Sequence, residues 1–299
     1  MLKFALKILI IGCVATIPYG IVQYQNMTVD DTFYWKSTYA APSLILGGSR
    51  ALKGISPGIL EQELNLGQKS VLNFAFNGNH SPYGEKYFNL IKRKIKIQDE
   101  RAIFVLSVIP MSIMDIKDLD FNRENEFRFY DLFNVNMNPN IEYILRNPRA
   151  NKSFLQKIYE LKSTPEKKIV HSNGWEEMTI EINSNTKIGR PVEQLIKYDM
   201  EKSPEREIWF RNTVEYLSNI GQVYMVRLPI SSLMLQKEEA LYPEFDAEME
   251  QIATRKNVHY FNFAVEGKQY EFTDSHHHLN GQSAIRFSKK LATSIKSSH

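Results

Sequence analysis

The stretch AIFVLSVI, residues 102–109, decides the fold class because it is an almost unbroken apolar run that Pro110 closes. A strand that is apolar on both faces is typical of a parallel sheet with helices on each side. Four further strands are predicted, over residues 43–46, 71–76, 223–228 and 258–263. Helical patterns separate them, so the sequence predicts a three-layer α/β/α sandwich around a mostly parallel, flavodoxin-like sheet of about five strands.

The helical patterns begin at serine–proline pairs in three places. Serine is a good N-cap and proline fits the first helical turn, so helix starts are predicted at 56–57, 81–82 and 203–204. Helices are predicted over residues 56–66, 81–94, 140–162, 203–220, 236–256 and 281–296. Between 111 and 200 the alternation of strands and helices is blurred, and this stretch is interpreted as an insertion that caps the sheet.

The composition is that of an ordinary globular protein. Apolar residues make up 43% of the chain and charged residues 24%, which argues against a disordered chain, a collagen-like repeat and a polytopic membrane protein. The formal net charge of +3 is too balanced to predict nucleic acid as a partner. Cys13 is the single cysteine, which excludes an internal disulfide and a multi-cysteine metal site.

The first 25 residues are predicted to form a transmembrane signal anchor. Lys3 and Lys7 precede a charge-free run over 8–22, and the segment spans a bilayer when both lysines reach the headgroups. The positive-inside rule then places the N-terminus in the cytoplasm and the rest of the chain outside it. A cleaved signal peptide and a lipoprotein signal ending at Cys13 are the alternatives. A juxtamembrane linker over 26–42 and one α/β domain over 43–299 are predicted to follow.

Polar residues follow the predicted strands at the edge where parallel sheets bind their ligands. Ser49 follows the first strand, Gly78 and Asn79 follow the second, and TDSHHHLNG, residues 273–281, follows the last. A serine that transfers acyl groups needs a histidine base, a carboxylate that orients it, and N–H donors for the oxyanion. The three histidines also allow a weak metal site, which is not predicted because neighbouring loop residues point in different directions.

Three segments resemble the sequence blocks of the SGNH, or GDSL-type, hydrolases in the divergent form of membrane-anchored envelope proteins. They are LILGGSRALKGISP (44–57), NFAFNGNHSP (73–82) and FTDSHHHLNGQSAIRFSKKLA (272–292). The resemblance covers about 43–110 and 220–296. It implies that Ser49 is the nucleophile, and that the N–H groups of Ser49 and Gly78 form the oxyanion hole. It implies neither a metal nor an organic cofactor.

The chain departs from the family pattern at two places. The third block carries an asparagine after the third strand, whereas this strand ends in VIPM, residues 108–111, as in the D-alanyl-transfer relatives. Asn79 is a candidate substitute. In the last block, the Asp-x-x-His spacing from Asp274 selects His277, but the His-Leu-Asn context selects His278. Both histidines are candidate bases, and the spacing gives the preference to His277.

Two further features bear on the substrate. Arg227 lies at a strand end and is interpreted either as a ligand for an anionic substrate or as part of a structural ion pair. The aromatic residues of the insertion, among them Phe127, Phe129, Tyr130 and Phe133, either stack on sugar rings or form the core of the insertion.

The resemblance implies a membrane-anchored serine esterase or O-acyltransferase in a bacterial-type cell envelope. Its single-pass anchor would lie in the cytoplasmic membrane, and its substrate would be an acylated glycan or polysaccharide. The anchor also favours a membrane-embedded partner that supplies acyl groups, and transfer to a glycan over hydrolysis. The alternative is a catalytically silent SGNH-type subunit that binds or scaffolds within a polysaccharide-assembly complex.

Overall fold

The computed structural model describes residues 3–7, 10–12, 14, 20–21, 24, 31–77, 83–95, 101–117, 128–146, 168–179, 199–274 and 276–298. Within these ranges no helix combines the length and the apolar character that crossing a membrane requires. Parts of the predicted anchor and of the predicted insertion lie outside the described residues, as do Gly78 and Asn79.

The described strands form one large sheet and two small ones. In chain order they are β1 (Ser43–Leu46), β2 (Val71–Asn73), β3 (Ile103–Ser107), β4 (Met114–Ile116), β5 (Lys168–Val170), β6 (Glu176–Met178), β7 (Met200–Lys202), β8 (Gln222–Arg227) and β9 (Val258–Asn262). The large sheet has the order β2-β1-β3-β8-β9, and every neighbouring pair is parallel. The predicted five-stranded parallel sheet is therefore confirmed.

The described α-helices follow or separate these strands. They are α1 (Ser49–Gly54), α2 (Pro57–Glu63), α3 (Glu85–Lys94), α4 (Ile141–Arg146), α5 (Pro204–Ser218), α6 (Ser232–Leu241), α7 (Phe245–Ile252) and α8 (Gly281–Ser297). Helix α8 contacts α1 and α2, whereas α3 contacts α5. Right-handed crossovers put these two groups on opposite faces of the sheet, which fits a three-layer sandwich.

The centre of the core is the apolar sheet. Every residue of β1, β2 and β3 is buried, because helices cover the sheet on both faces. The chain leaves β1 towards β2 on one side, and β3 lies on the other. The carboxyl end of β1 is therefore the switch point at which a crevice opens in such sheets.

Several elements differ from the sequence prediction. The second strand spans Val71–Asn73 rather than 71–76, and beyond it the N–H groups of Phe74 and Phe76 still donate to the carbonyls of Ile45 and Gly47. The helix predicted over 236–256 is broken into α6 and α7, since Tyr242 precedes Pro243 and has φ −146° and ψ 80°. The short helix α1 and the small sheets were not predicted.

The region predicted as an insertion contains two antiparallel strand pairs. Strand β4 pairs with β7, so the two ends of this region lie side by side. Strands β5 and β6 form a hairpin, and β6 contacts both α1 and α8. The hairpin thus lies against the helix that follows β1.

The described part of the predicted linker is packed into the domain. Tyr34 and Lys36 are fully buried within a short 3-10 helix, Tyr34–Ser37. The Lys36 Nζ donates to the carbonyls of Asn73 and Gly174, and burial holds its pKa well below its usual range. Residues 31–42 therefore form part of the domain rather than a free tether.

Candidate active site

A tight turn after β1 places Ser49 at the start of α1. Gly47 has a φ of +124°, and a Cβ added there would lie 2.8 Å from the Cβ of Ser107. The Gly47 N–H donates to the Tyr87 hydroxyl at 3.2 Å, and that hydroxyl donates to the Phe74 carbonyl at 2.9 Å. Ser107 on one side and the Tyr87 hydroxyl on the other fix the conformation of the turn, so Ser49 is held at the switch point of the sheet.

A second loop brings the histidines to the same place. Phe272 and Leu279 form an antiparallel bridge, and the Thr273 N–H donates to the His278 carbonyl at 2.8 Å. The Asp274 Oδ1 accepts the three backbone N–H groups of residues 276, 277 and 278 at 3.0–3.1 Å. Oδ1 of Asp274 therefore fixes the backbone of the loop, while Oδ2 remains able to accept a hydrogen bond from a side chain.

Ser49, His278 and Asp274 form a continuous relay. The Nε2 of His278 lies 2.8 Å from the Ser49 Oγ, and its Nδ1 lies 2.8 Å from the Asp274 Oδ2. A carboxylate only accepts hydrogen bonds, so Nδ1 carries the proton and Nε2 is left to accept from the serine hydroxyl. This is the arrangement that a histidine needs in order to act as a base towards serine.

Charge and burial keep Asp274 ionised and His278 neutral. Burial alone would raise the pKa of Asp274, but the hydrogen bond and charge of His278 and the backbone N–H of His277 hold it far below its usual range. Burial lowers the pKa of His278, as do the charges of Lys53 and Arg50, while Asp274 raises it. His278 is therefore neutral at pH 7, as a base must be.

His277 lies beside the relay but does not contact the serine. Its ring centroid is 4.1 Å from that of His278, and its Nδ1 is 3.2 Å from the Asp274 Oδ2 without hydrogen-bond geometry. Burial, with the charges of His278 and Arg50, lowers its pKa to about 2. The spacing preference for His277 does not match the structure, in which the capped loop turns the next residue towards Ser49.

Arg227 is not placed to bind a substrate. It is buried at the end of β8, where it contacts both carboxylate oxygens of Asp246 at 2.7–2.8 Å and Glu238 at 3.0 Å. Glu238 is itself fully buried and also contacts Arg50. The interpretation as a substrate ligand is therefore corrected, because the guanidinium is already committed to a structural ion network.

Among the described residues, the N–H of Ser49 is the candidate donor to an oxyanion. It belongs to the first residue of α1, where helices leave N–H groups without an intrahelical acceptor. The predicted donors Gly78 and Asn79 lie outside the described residues. Their role stays a prediction.

The aromatic residues of the predicted insertion divide into two groups. Phe129 and Tyr130 are buried in the main core, where Phe129 packs edge-to-face on Phe76. Phe133 is exposed, and Phe127 lies outside the described residues. Phe129 and Tyr130 therefore belong to the core, as one of the two interpretations expected.

The same loop offers the atoms of a metal site. One ligand atom each from Asp274, His277 and His278 lie within 4.8 Å of one another. However, the positive charges of Arg50 and Lys53 act on these histidines and disfavour a cation. The absence of a metal stays a prediction.

Two positioning side chains were not identified from the sequence. The buried Asn73 amide donates to the carbonyls of Ala51 and Ile55, which ties α1 to β2. Trp175 of the β5–β6 hairpin donates from Nε1 to the Lys53 carbonyl at 2.9 Å. A polar residue inside an apolar strand run was the available signal for Asn73, whereas Trp175 lies 122 positions from its partner.

Comparison with known proteins adds no family to this geometry. Neither a protein-family model nor a curated protein matches the chain.

Proposed function

We propose that the chain is a membrane-anchored serine esterase or O-acyltransferase of the SGNH type, acting on an acylated envelope glycan outside the cytoplasm. The relay from Ser49 through His278 to Asp274, with 2.8 Å at both steps, carries the proposal. The resemblance of residues 44–57, 73–82 and 272–292 to the blocks of that family supports the class of substrate.

In the proposed reaction the Ser49 Oγ attacks the acyl carbonyl while His278 Nε2 takes the hydroxyl proton. The Ser49 N–H stabilises the resulting oxyanion. The C–O bond to the leaving alcohol then breaks, and His278 returns the proton to that oxygen. Asp274 stays ionised and stabilises the imidazolium that forms between these steps.

The fate of the acyl-serine decides between the two reaction types. Water or a sugar hydroxyl loses its proton to His278 and attacks the acyl carbon, the bond from that carbon to the Ser49 Oγ breaks, and His278 returns the proton to Oγ. Water gives a free acid, and a sugar hydroxyl gives an acylated glycan. The anchor favours transfer, because acyl groups supplied by a membrane-embedded partner would arrive at the same surface.

The anchor itself is proposed from residues 1–25. Lys3 and Lys7 precede the charge-free run 8–22, and Tyr24 packs against Tyr34 of the domain with ring centroids 6.0 Å apart. The membrane segment and the domain would thus be joined without a long tether.

The experiment is acyl-ester turnover by the detergent-solubilised full chain, with a matched serine control. Ser49→Ala is expected to lower turnover by about 10⁴-fold or more, because triad residues act as a unit. Ser231→Ala is the control, since the Ser231 Oγ also lies near a histidine nitrogen, His276 Nδ1 at 3.3 Å, but belongs to no relay. Equal turnover by wild type and Ser49→Ala would refute the proposal.

A glycan acceptor added to the same assay separates the two reaction types. Acylated glycan at the expense of free acid would identify a transferase, and free acid at an unchanged rate would identify an esterase. Wild-type protein without any turnover would favour the silent binding subunit.

A further inference from the structure

Four apolar side chains around α4 are exposed to solvent. Phe133, Met137, Ile141 and Leu145 expose 83%, 38%, 51% and 77% of their surface, and we name them the α4 patch. Ile141 and Leu145 are four residues apart on the helix, so they share one face.

The α4 patch belongs to one locally bonded unit. The Phe133 N–H donates to the Glu142 carboxylate at 3.0 Å, which brings the preceding loop onto the first turn of α4. The Asn140 amide donates to the Asn134 carbonyl at 2.8 Å and so closes the loop between them. These hydrogen bonds therefore fix the loop that carries Phe133 and Met137 to the helix that carries Ile141 and Leu145.

We propose that the α4 patch inserts into the boundary between the headgroups and the acyl chains of the same bilayer that holds the N-terminal segment. This inference rests on the membrane anchor in the proposed function and is independent of the proposed chemistry.

The contacts of the N-terminal region bring the end of the predicted anchor close to α4. Tyr24, at the end of the apolar segment, packs edge-to-face on Tyr34, and Tyr34 packs edge-to-face on Tyr143 of α4 at 5.8 Å. The Tyr143 hydroxyl donates to the Asp31 carboxylate at 2.8 Å. Two ring contacts therefore separate the end of the anchor from the helix that carries the patch.

A second set of contacts fixes the loop of the patch to the same segment. The Met137 N–H and the Asn140 side-chain amide both donate to the Ser37 carbonyl, at 3.3 and 3.0 Å. A chain that enters a bilayer before residue 25 thus brings the α4 patch to its surface.

The side chains at the margin of the patch suit a lipid headgroup. Arg93 donates to the carbonyls of Tyr130 and Leu132, and Arg146 is half exposed beside Glu142. Cations around exposed aromatic and aliphatic side chains are typical of surfaces that lie in a membrane interface. A glycan would instead need hydrogen-bonding groups, which the four apolar side chains lack.

The experiment measures the depth of nitroxide labels on the full chain in nanodiscs of phosphatidylcholine and phosphatidylglycerol. The chain has one cysteine, so Cys13→Ser gives a background for single labels. Labels are introduced by Phe133→Cys and Leu145→Cys, and the matched control is Val265→Cys, which replaces an apolar residue of 69% exposure elsewhere on the domain. Ester turnover and the melting curve check that each labelled chain is folded.

Power saturation is expected to place labels 133 and 145 about 5–10 Å below the phosphates, with greater access to oxygen than to a water-soluble nickel complex. The label at 265 is expected to favour the nickel complex. Equal water access at all three positions would overturn the proposal. Spin–spin broadening between labels 133 of two chains would also overturn it, because the occupant would be a second copy.

Alkaline extraction separates this inference from the proposed function. A chain that leaves the membrane on extraction would overturn both the anchor and the α4 patch, while ester turnover would still test the proposed chemistry. A chain that stays in the membrane with water-exposed labels would overturn the α4 patch alone.

Discussion

The substitution Glu238→Gln tests whether the buried ion network around Glu238 gives Arg227 a structural role. Glu238 is fully buried and contacts Arg50 at 2.5 Å and Arg227 at 3.0 Å, so its carboxylate compensates two buried guanidinium groups. Glutamine keeps the shape and removes the charge. Asp246 still compensates Arg227, but the described partner of Arg50 is Glu238. Removal of one partner from a buried ion pair costs about 3–5 kcal/mol of the free energy of unfolding.

That loss corresponds to a fall in melting temperature on the order of 10 °C for a chain of this size. The assay is denaturant unfolding and calorimetry at pH 7. Glu207→Gln is the control, since Glu207 pairs with Arg211 at 2.8 Å on the surface of α5 and an exposed i,i+4 pair contributes about 0.3–0.5 kcal/mol. Equal losses for the two variants would refute the structural role of the network and reopen Arg227 as a substrate ligand.

Three further predictions concern the relay and its turn. His278→Ala should abolish acyl-ester turnover while His277→Ala keeps most of it, and the reverse order would move the base to His277. The value of kcat/KM should rise with pH through a single pKa below 6.5. Burial lowers the pKa of His278, and only the neutral imidazole accepts a proton from Ser49. A midpoint above 7 would contradict this prediction. Gly47→Ala should cost about 1–3 kcal/mol of stability through backbone strain and displace Ser49, as unfolding and turnover together would show; unchanged values would exclude strain at the turn.

The strands of the large sheet and several helix starts were predictable because their signals are local. The run 102–109 contains the whole of β3, and the prolines of the serine–proline pairs at 56–57 and 203–204 are the first residues of α2 and α5. Strand order was not predictable from these patterns, since it depends on pairing between residues 28 positions apart, as in Ser43 and Val71, to 119 positions apart, as in Ile103 and Gln222.

The site was partly predictable for the same reason. Ser49, Asp274 and the histidines stand in short strings whose residue types indicate acyl transfer. The choice of His278 depends on Asp274 Oδ1 capping three backbone N–H groups, a geometry that spacing alone does not reveal. The partners of Arg227, Glu238 and Asp246, lie on other elements, so the sequence left both interpretations of Arg227 open. The Trp175 side chain that donates to the Lys53 carbonyl also lies on another element.

Covalent labelling by a fluorophosphonate tests the central claim most directly, since only a serine activated by a neighbouring base reacts at a useful rate. The full chain is incubated with the probe at pH 7.5, and the adduct is located by peptide mass spectrometry. The account predicts one adduct on the peptide that contains Ser49, lost in His278→Ala and kept in His277→Ala. An unlabelled chain with a native melting curve, or an adduct on Ser231 instead, would contradict it.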